Sequence, residues 1–203
     1  MEQSIGDYVY RIGVPESLRV EAAQLFDEAF GRKFSIAIGD RQKRCAVLVE
    51  SLLLEFAAAA IAGGRLVGLA GFHTQRGALT SGMNAELLME RLGTMGGMWA
   101  GMIFSLFARQ PQSSELLMDG IAVSRDMRGN GIGTHLLNDL KQYARENGFR
   151  SIRLEVIDTN PAARRLYERQ GFVPTRTERF GCLRWFLGFG ASTTMIWNVG
   201  GSA

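Results

Sequence analysis

Apolar positions along this 203-residue chain fall into two periods, and each change of period marks an element. Ser4 to Ile12 predicts a first strand, ended by Gly13 and Pro15. From Glu16 to Phe30, Leu18, Ala22, Leu25, Phe26 and Ala29 recur at helical spacing, which predicts a helix with Gly31 as its stop. Asp40 to Phe56 predicts a second helix, basic at its start and apolar later. Ala57 to Ala62 and Arg65 to His73 read as a β-hairpin, with Gly63-Gly64 supplying the positive φ of a tight turn.

Two helices are expected next, Asn84 to Leu92 and Thr94 to Arg109. In the second, Met95, Met98, Trp99, Met102, Ile103, Leu106 and Phe107 form one helical stripe, and Gly97, Gly101 and Ser105 form a stripe of small residues. Small residues let another backbone approach closely. The apolar stripe reads as a buried core face, a wall of an acceptor pocket or a homodimer contact. The methionines gathered here (Met83, Met89, Met95, Met98 and Met102) suit irregular contacts.

Downstream the pattern is regular. Glu115 to Val123 is an apolar strand, and Gly131 to Asn147 is a helix closed by Gly148. Ser151 to Ile157 is a strand with Ile152, Leu154 and Val156 alternating. Asn160 followed by Pro161 starts a helix that Gly171 closes. Phe172 to Phe180 and Ala191 to Val199 are two final strands, joined by an apolar loop with Trp185, Phe186 and Phe189. There is no repeat and no linker, so residues 1–203 are expected to form a single α/β domain. The helical insert, about 75–114, lies between the third and fourth strands.

Composition adds exclusions. With 23 Lys and Arg against 20 Asp and Glu, the net charge of +3 is too small to argue for nucleic acid. Cys45 and Cys182 form no CxxC pair, and there are two histidines, so neither a metal site nor a disulfide framework is expected. The longest uncharged apolar stretch, Thr94 to Ala108, has 15 residues, and a membrane span needs about 20. Residues Met1 to Tyr10 carry early acids and no apolar core of signal-peptide length. The expectation is a cytoplasmic protein.

Chemistry concentrates in V123-S-R-D-M-R-G-N-G-I-G-T134, which joins the apolar strand to a helix. Free amides and the positive end of the dipole at a helix N-terminus bind phosphate. Glycines let a pyrophosphate approach the backbone, and Arg128 adds a bidentate charge. The Walker pattern is absent, and Thr134 stands where a dinucleotide fingerprint needs its third glycine.

Downstream runs L154-E-V-x-x-x-N160-x-x-A163-x-x-L166-Y167-E168-x-x-G171-F172. Together the two segments resemble, in order and at the right separation, the GNAT superfamily of acyl-CoA-dependent N-acetyltransferases. The resemblance covers roughly Leu116 to Val173. It implies a mixed, mostly antiparallel central sheet with splayed parallel strands and helices on both faces. It implies acetyl-CoA as co-substrate, held in the cleft between those strands, and an amine acceptor: a small amine, an antibiotic, an amino acid, or a protein N-terminus or lysine. The backbone of Ile121, Ala122 and Val123 would pair with the pantetheine arm. Arg128, Gly129, Asn130, Gly131, Ile132, Gly133 and Thr134 would hold the pyrophosphate. Asn160 would bond the pantetheine, cap its helix or do both, and Ala163 would leave room.

The resemblance makes Tyr167 the candidate general acid near the CoA sulfur, with pantetheine packing as its other reading. The base is open among Glu155, Asp119 and a water chain, with His73 outside them. Glu155 precedes Tyr167 by twelve residues, as in relatives that acetylate protein N-termini. Asp119 is an acid inside an apolar strand, costly unless paired or functional. A non-catalytic acyl-CoA sensor is the alternative reading of the same cradle.

Overall fold

The computed structural model describes residues 2–5, 7–106, 110–181 and 188–200. Among them, nine strands form one sheet, ordered β1-β2-β3-β4-β6-β7-β9-β8, with the short β5 paired to β4. The strands are β1 (Glu2–Ile5), β2 (Tyr8–Ile12), β3 (Ala57–Ala62), β4 (Arg65–Thr74) and β5 (Gly77–Ala78), then β6 (Glu115–Val123), β7 (Ser151–Ile157), β8 (Val173–Arg179) and β9 (Ala191–Asn198). Every pairing is antiparallel except β6 with β7. The mixed, mostly antiparallel sheet is the expected one. The first strand is corrected: Ser4–Ile12 is not one strand, because Ile5 pairs with Tyr8 and the chain turns back on itself. The Gly6-Asp7 dipeptide in the sequence is the turn signal.

The helices are α1 (Arg19–Phe34), α2 (Arg41–Ser51), α3 (Ala85–Leu106), α4 (Ile132–Glu146) and α5 (Pro161–Arg169). They cover both faces of the sheet. A Cβ on Gly120 would meet Phe30 of α1, whereas the next side chain, Ile121, faces Gly133 of α4. The α4 face carries Ile132, Leu136, Leu137 and Leu140, all buried. Asp40 caps α2 by accepting bonds from the amides of Gln42 and Lys43. That helix stops at Ser51, short of the expected Phe56, because Leu52 turns extended and the Leu53 amide donates to the Leu79 carbonyl.

Gly31 does not end α1, which runs on to Phe34. Its lack of a side chain makes room for Asp27, whose Oδ1 would stand 2.6 Å from a Cβ there. Asp27 is buried in an ion pair with Arg44 (Nε to Oδ1, 2.6 Å) that ties α1 to α2.

The insert forms two helical segments broken at Gly93, as the pattern predicts, and α3 joins them across that break (φ 76°, ψ 165°). Leu88, Ala100 and Ile103 are buried in a satellite cluster with Ala37, Ile38 and Val47. Gly97 permits a close crossing, since a Cβ there would lie 2.6 Å from the Met89 backbone. The stripe itself corrects the buried-core expectation. Met95 is 87% exposed and Leu106 is 71% exposed, and Met98, Trp99 and Met102 are also exposed. Ile103 is the stripe's buried member, and Phe107 lies outside the described residues. No helix among the described residues is long and apolar enough to cross a membrane.

Candidate active site

Strands β6 and β7 pair over Glu115–Met118 and Ser151–Leu154 only, although both run on to Val123 and Ile157. They part at the next residue of each, Asp119 and Glu155. A second irregularity coincides with this opening. On the other side of β6, Gly71 pairs with Gly120 but Phe72 pairs with Met118, so Asp119 is the extra residue of a β-bulge. A bulge bends its strand and re-aims the side chain it carries. Here it places Asp119 at the mouth of the opened cleft.

Asp119 sits against His73 of β4, with Oδ1 2.6 Å from Nε2. The approach is close but lacks hydrogen-bond geometry, and both His73 Nε2 and Asp119 Oδ2 are buried with no hydrogen-bond partner in the structure. Gly71 provides the notch: a Cβ there would be 3.2 Å from Oδ2. Glu155 lies on the half-buried face of β7, opposite the buried Ile152, Leu154 and Val156, as the alternation predicts.

Past Val123, the chain turns into α4 through Gly129 (φ 86°) and Gly131 (φ 78°). Both angles are in the left-handed region, which favours glycine. At Gly129 nothing lies within 4 Å of an added Cβ, and at Gly131 the nearest atom is 3.9 Å away. The space in front of these backbones is open, as a phosphate cradle needs. Gly131 is the N-cap of α4, and the first amides of a helix have no intrahelical partner. Arg128 and Asn130 are exposed at this rim, and Arg128 donates to the Val123 carbonyl (3.1 Å). Three of the expected contact residues serve differently. The side chains of Ile132 and Ala122 belong to the core, leaving only their backbones for a ligand. At Gly133, a Cβ would stand 3.2 Å from Leu166 Cδ2, so packing of α5 on α4 accounts for that glycine. Thr134 is half-buried in the first turn, its amide bonded to the Gly131 carbonyl.

On α5, Asn160 acts as the N-cap, accepting from the Ala163 amide (3.1 Å). Ala163 is half-buried against the main core, while Arg164 and Arg165 face solvent. Tyr167 is 5% exposed, and burial pushes its phenol up to about 12. It therefore stays protonated at neutral pH, the state a proton donor needs.

A cavity of about 740 Å³ opens on the other side of the splay. Its lining includes His73, Asp119 and Glu155, the rings of Phe26, Phe30, Phe34 and Phe104, and the polar Thr74, Gln75, Arg76, Thr80, Ser81 and Gln110. The structure thus brings together Asp119, Glu155 and the outlying candidate His73, and Tyr167 does not line this cavity. The sequence reading puts Phe26 on a core stripe and singles out none of the other three rings. Their signal is the spacing of four from Phe26 to Phe30 to Phe34, one face of α1. Of the apolar loop before β9, Phe189 is described and packs edge-on against Phe180 (5.4 Å), while Trp185 and Phe186 lie outside the described residues. No group of metal-ligating side chains occurs among the described residues.

The model of the acetyltransferase (GNAT) family matches residues 20–172. A probable N-acetyltransferase camello of Xenopus tropicalis is 38% identical over 81 residues, 38% of this chain and 37% of that protein. The chain thus spans little more than a third of the length of that curated relative. Among solved structures, a GCN5-related N-acetyltransferase from Kribbella flavida superposes with a TM-score of 0.62 at 16% identity, covering 97% of this chain and 100% of that one. A putative acetyltransferase of Salmonella typhimurium, solved with its cofactor acetyl-CoA, gives 0.58 at 16% identity, covering 98% of each. At these identities the two structures are similar in fold.

Proposed function

Because the chain belongs to the acetyltransferase (GNAT) family, we propose that it is an N-acetyltransferase, moving an acetyl group from acetyl-CoA to a primary amine by direct attack on the thioester. One observation carries this reading. The two acids Asp119 and Glu155 stand where β6 and β7 part, with a glycine cradle on one side and a cavity on the other.

The cradle fits a pyrophosphate, since Gly129 and Gly131 hold open backbone at the start of α4. Arg128, Asn130, Thr134 and the amides of residues 129–133 would hold it. The β7-facing edge of Ile121–Val123 would bind the pantetheine as an added strand. Asn160 and Ala163 border the same arm. Bound acetyl-CoA supplies the activated acyl carbon and the leaving thiolate.

Glu155 takes a proton from the attacking amine. Asp119 is the weaker base candidate, because one oxygen is held against His73 and the other is buried under Gly71. With His73 it forms a fixed pair that draws in the ammonium form of the acceptor. Tyr167 gives its phenolic proton to the sulfur as the C–S bond breaks and the C–N bond forms. An acceptor that arrives as ammonium gives up two protons, one to Glu155 and one that restores the Tyr167 phenol, so the products are the amide, free CoA and a protonated Glu155 that releases its proton to solvent.

The first test is calorimetric titration with acetyl-CoA against NADH as control, followed by thiol release in the presence of an amine. Micromolar acetyl-CoA binding with turnover supports the enzyme. Binding without turnover on any amine leaves a sensor, and no binding removes the cradle. Arg128→Glu should raise the acetyl-CoA Kd by at least about tenfold with an unchanged Tm, because its charge faces solvent at the rim.

The homodimer expectation rests on the outward stripe of α3. Sedimentation of the wild type against Met98→Lys/Met102→Lys decides it, and a monomeric wild type ends it. A cytoplasmic location rests on the sparse, unclustered cysteines, and fractionation of the source cells tests it.

A further inference from the structure

The cavity says what kind of amine enters. This inference rests on the N-acetyltransferase reading above and extends it to the acceptor. None of Arg128 to Thr134, Asn160, Ala163 or Tyr167 lines the cavity, so the CoA cradle and the cavity meet only at the splay. A molecule in the cavity that presents its nucleophile at Asp119 and Glu155 lays its body along the rings of α1, since Phe30 stands against Gly120, the neighbour of Asp119.

The apolar part of the lining is aromatic. Phe26, Phe30 and Phe34 repeat every fourth residue on α1, and Phe104 closes the row from the insert. Ring centroids are 4.8 Å apart for Phe26–Phe30, 5.5 Å for Phe26–Phe34 and 5.2 Å for Phe34–Phe104. Phe30, Phe34 and Phe104 are only half-buried, an apolar surface left without a cover. Gly120 keeps Phe30 in place: its φ of 152° and an added Cβ 2.8 Å from the ring both exclude a side chain. The cationic lining residue is Arg76, whose charge repels a second ammonium. Two carboxylates, Asp119 and Glu155, face this one guanidinium in the lining, a charge balance that matches one ammonium.

We propose that the acceptor is a singly charged primary amine carried on an aromatic or bulky aliphatic body, and that Phe104, supplied by the helical insert, sets that preference. The insert is then the specificity element of the enzyme, reaching from α3 to the row of rings on α1. Polyamines and lysine-rich peptides are poor acceptors, since their further charges would lie against phenylalanine and Arg76.

Steady-state thiol release with phenethylamine, ethylamine and spermidine tests this. Wild type should favour phenethylamine over ethylamine by at least about tenfold in kcat/KM, the discrimination an apolar pocket achieves. Phe104→Ala should erase most of that preference by raising KM for phenethylamine far more than for ethylamine, with acetyl-CoA affinity unchanged. Phe104→Leu keeps the apolar volume and should lose less. Equal losses on both amines, or a preference for spermidine, would overturn the inference while acetyl-CoA binding and turnover keep the parent reading intact. Direct titration of phenethylamine reads the cavity without turnover: equal affinity of wild type and Phe104→Ala also overturns it. Failure of acetyl-CoA to bind is a separate result and strikes the parent reading.

Discussion

Leu166 of α5 rests on Gly133 of α4, with its Cδ2 3.2 Å from where a Cβ would stand. This contact joins the helix that begins at the cradle to the helix that carries Tyr167. Gly133→Ala gains helix propensity of about 1 kcal/mol and displaces a flexible leucine tip by tenths of an ångström, so it should be nearly neutral. Gly133→Val adds branched bulk and should cost about 1–3 kcal/mol. Denaturant unfolding measures the cost. Titration with acetyl-CoA should show weaker binding for the valine variant alone. Equal behaviour of the two variants would dissolve the coupling.

Tyr167 links proton donation to stability. Its folded pKa, about 12, lies above the ordinary value of 10.0. A raised pKa contributes its stability in full below pH 10 and loses it as pH rises through about 12. The loss amounts to about 3 kcal/mol. Tyr167→Phe should therefore flatten the fall of Tm between pH 10 and 12 relative to wild type. At neutral pH the same variant should cut kcat strongly and leave the acetyl-CoA Kd unchanged. Unchanged turnover would strip Tyr167 of its role.

The two acids at the splay should separate kinetically. Glu155→Gln removes the proton acceptor, so kcat should fall by about 10²–10⁴-fold with little change in KM for the amine. Asp119→Asn keeps the bulge but removes the charge beside His73, so KM for the amine should rise more than kcat falls. If Asp119→Asn lowers kcat more than Glu155→Gln does, the roles are exchanged.

Asp27 and Arg44 are buried together, and Arg41 adds a second contact at 3.2 Å. Asp27→Ala strands the Arg44 guanidinium, which still donates to the Ile38 and Gly39 carbonyls. The expected cost is about 3–5 kcal/mol. The double variant Asp27→Ala/Arg44→Met should be less destabilised than Asp27→Ala alone. Chemical denaturation of both decides it.

What the sequence reveals here is mostly local. The strand, glycine turn and helix around Arg128 are set by residues next to one another, and so is the Asn160-Pro161 start of α5. Those elements appear within a residue or two of the expected bounds. The bulge at Asp119 is not local, because it exists only through the pairing of β6 with Gly71 and Phe72. Periodicity shows that the insert helix has two faces but not which is covered. Leu88, Ala100 and Ile103 find the second core, and the more apolar methionine stripe faces out. Gly31 reads as a stop until the Asp27 carboxylate beside it is seen. The aromatic wall escapes because Phe104 joins Phe34 across 70 positions of chain.

The strand order also decides how this molecule meets its own copies. The sheet ends at β8, whose sequence is V173-P-T-R-T-E-R179. A foreign strand laid along that border would meet Pro174, which has no amide to give. It would meet a register break between Pro174 and Arg176, and then the charges of Arg176, Glu178 and Arg179. Edges defended in this way do not template intermolecular ladders. Crowding the protein to high concentration should leave it free of β-aggregates nucleated at this border.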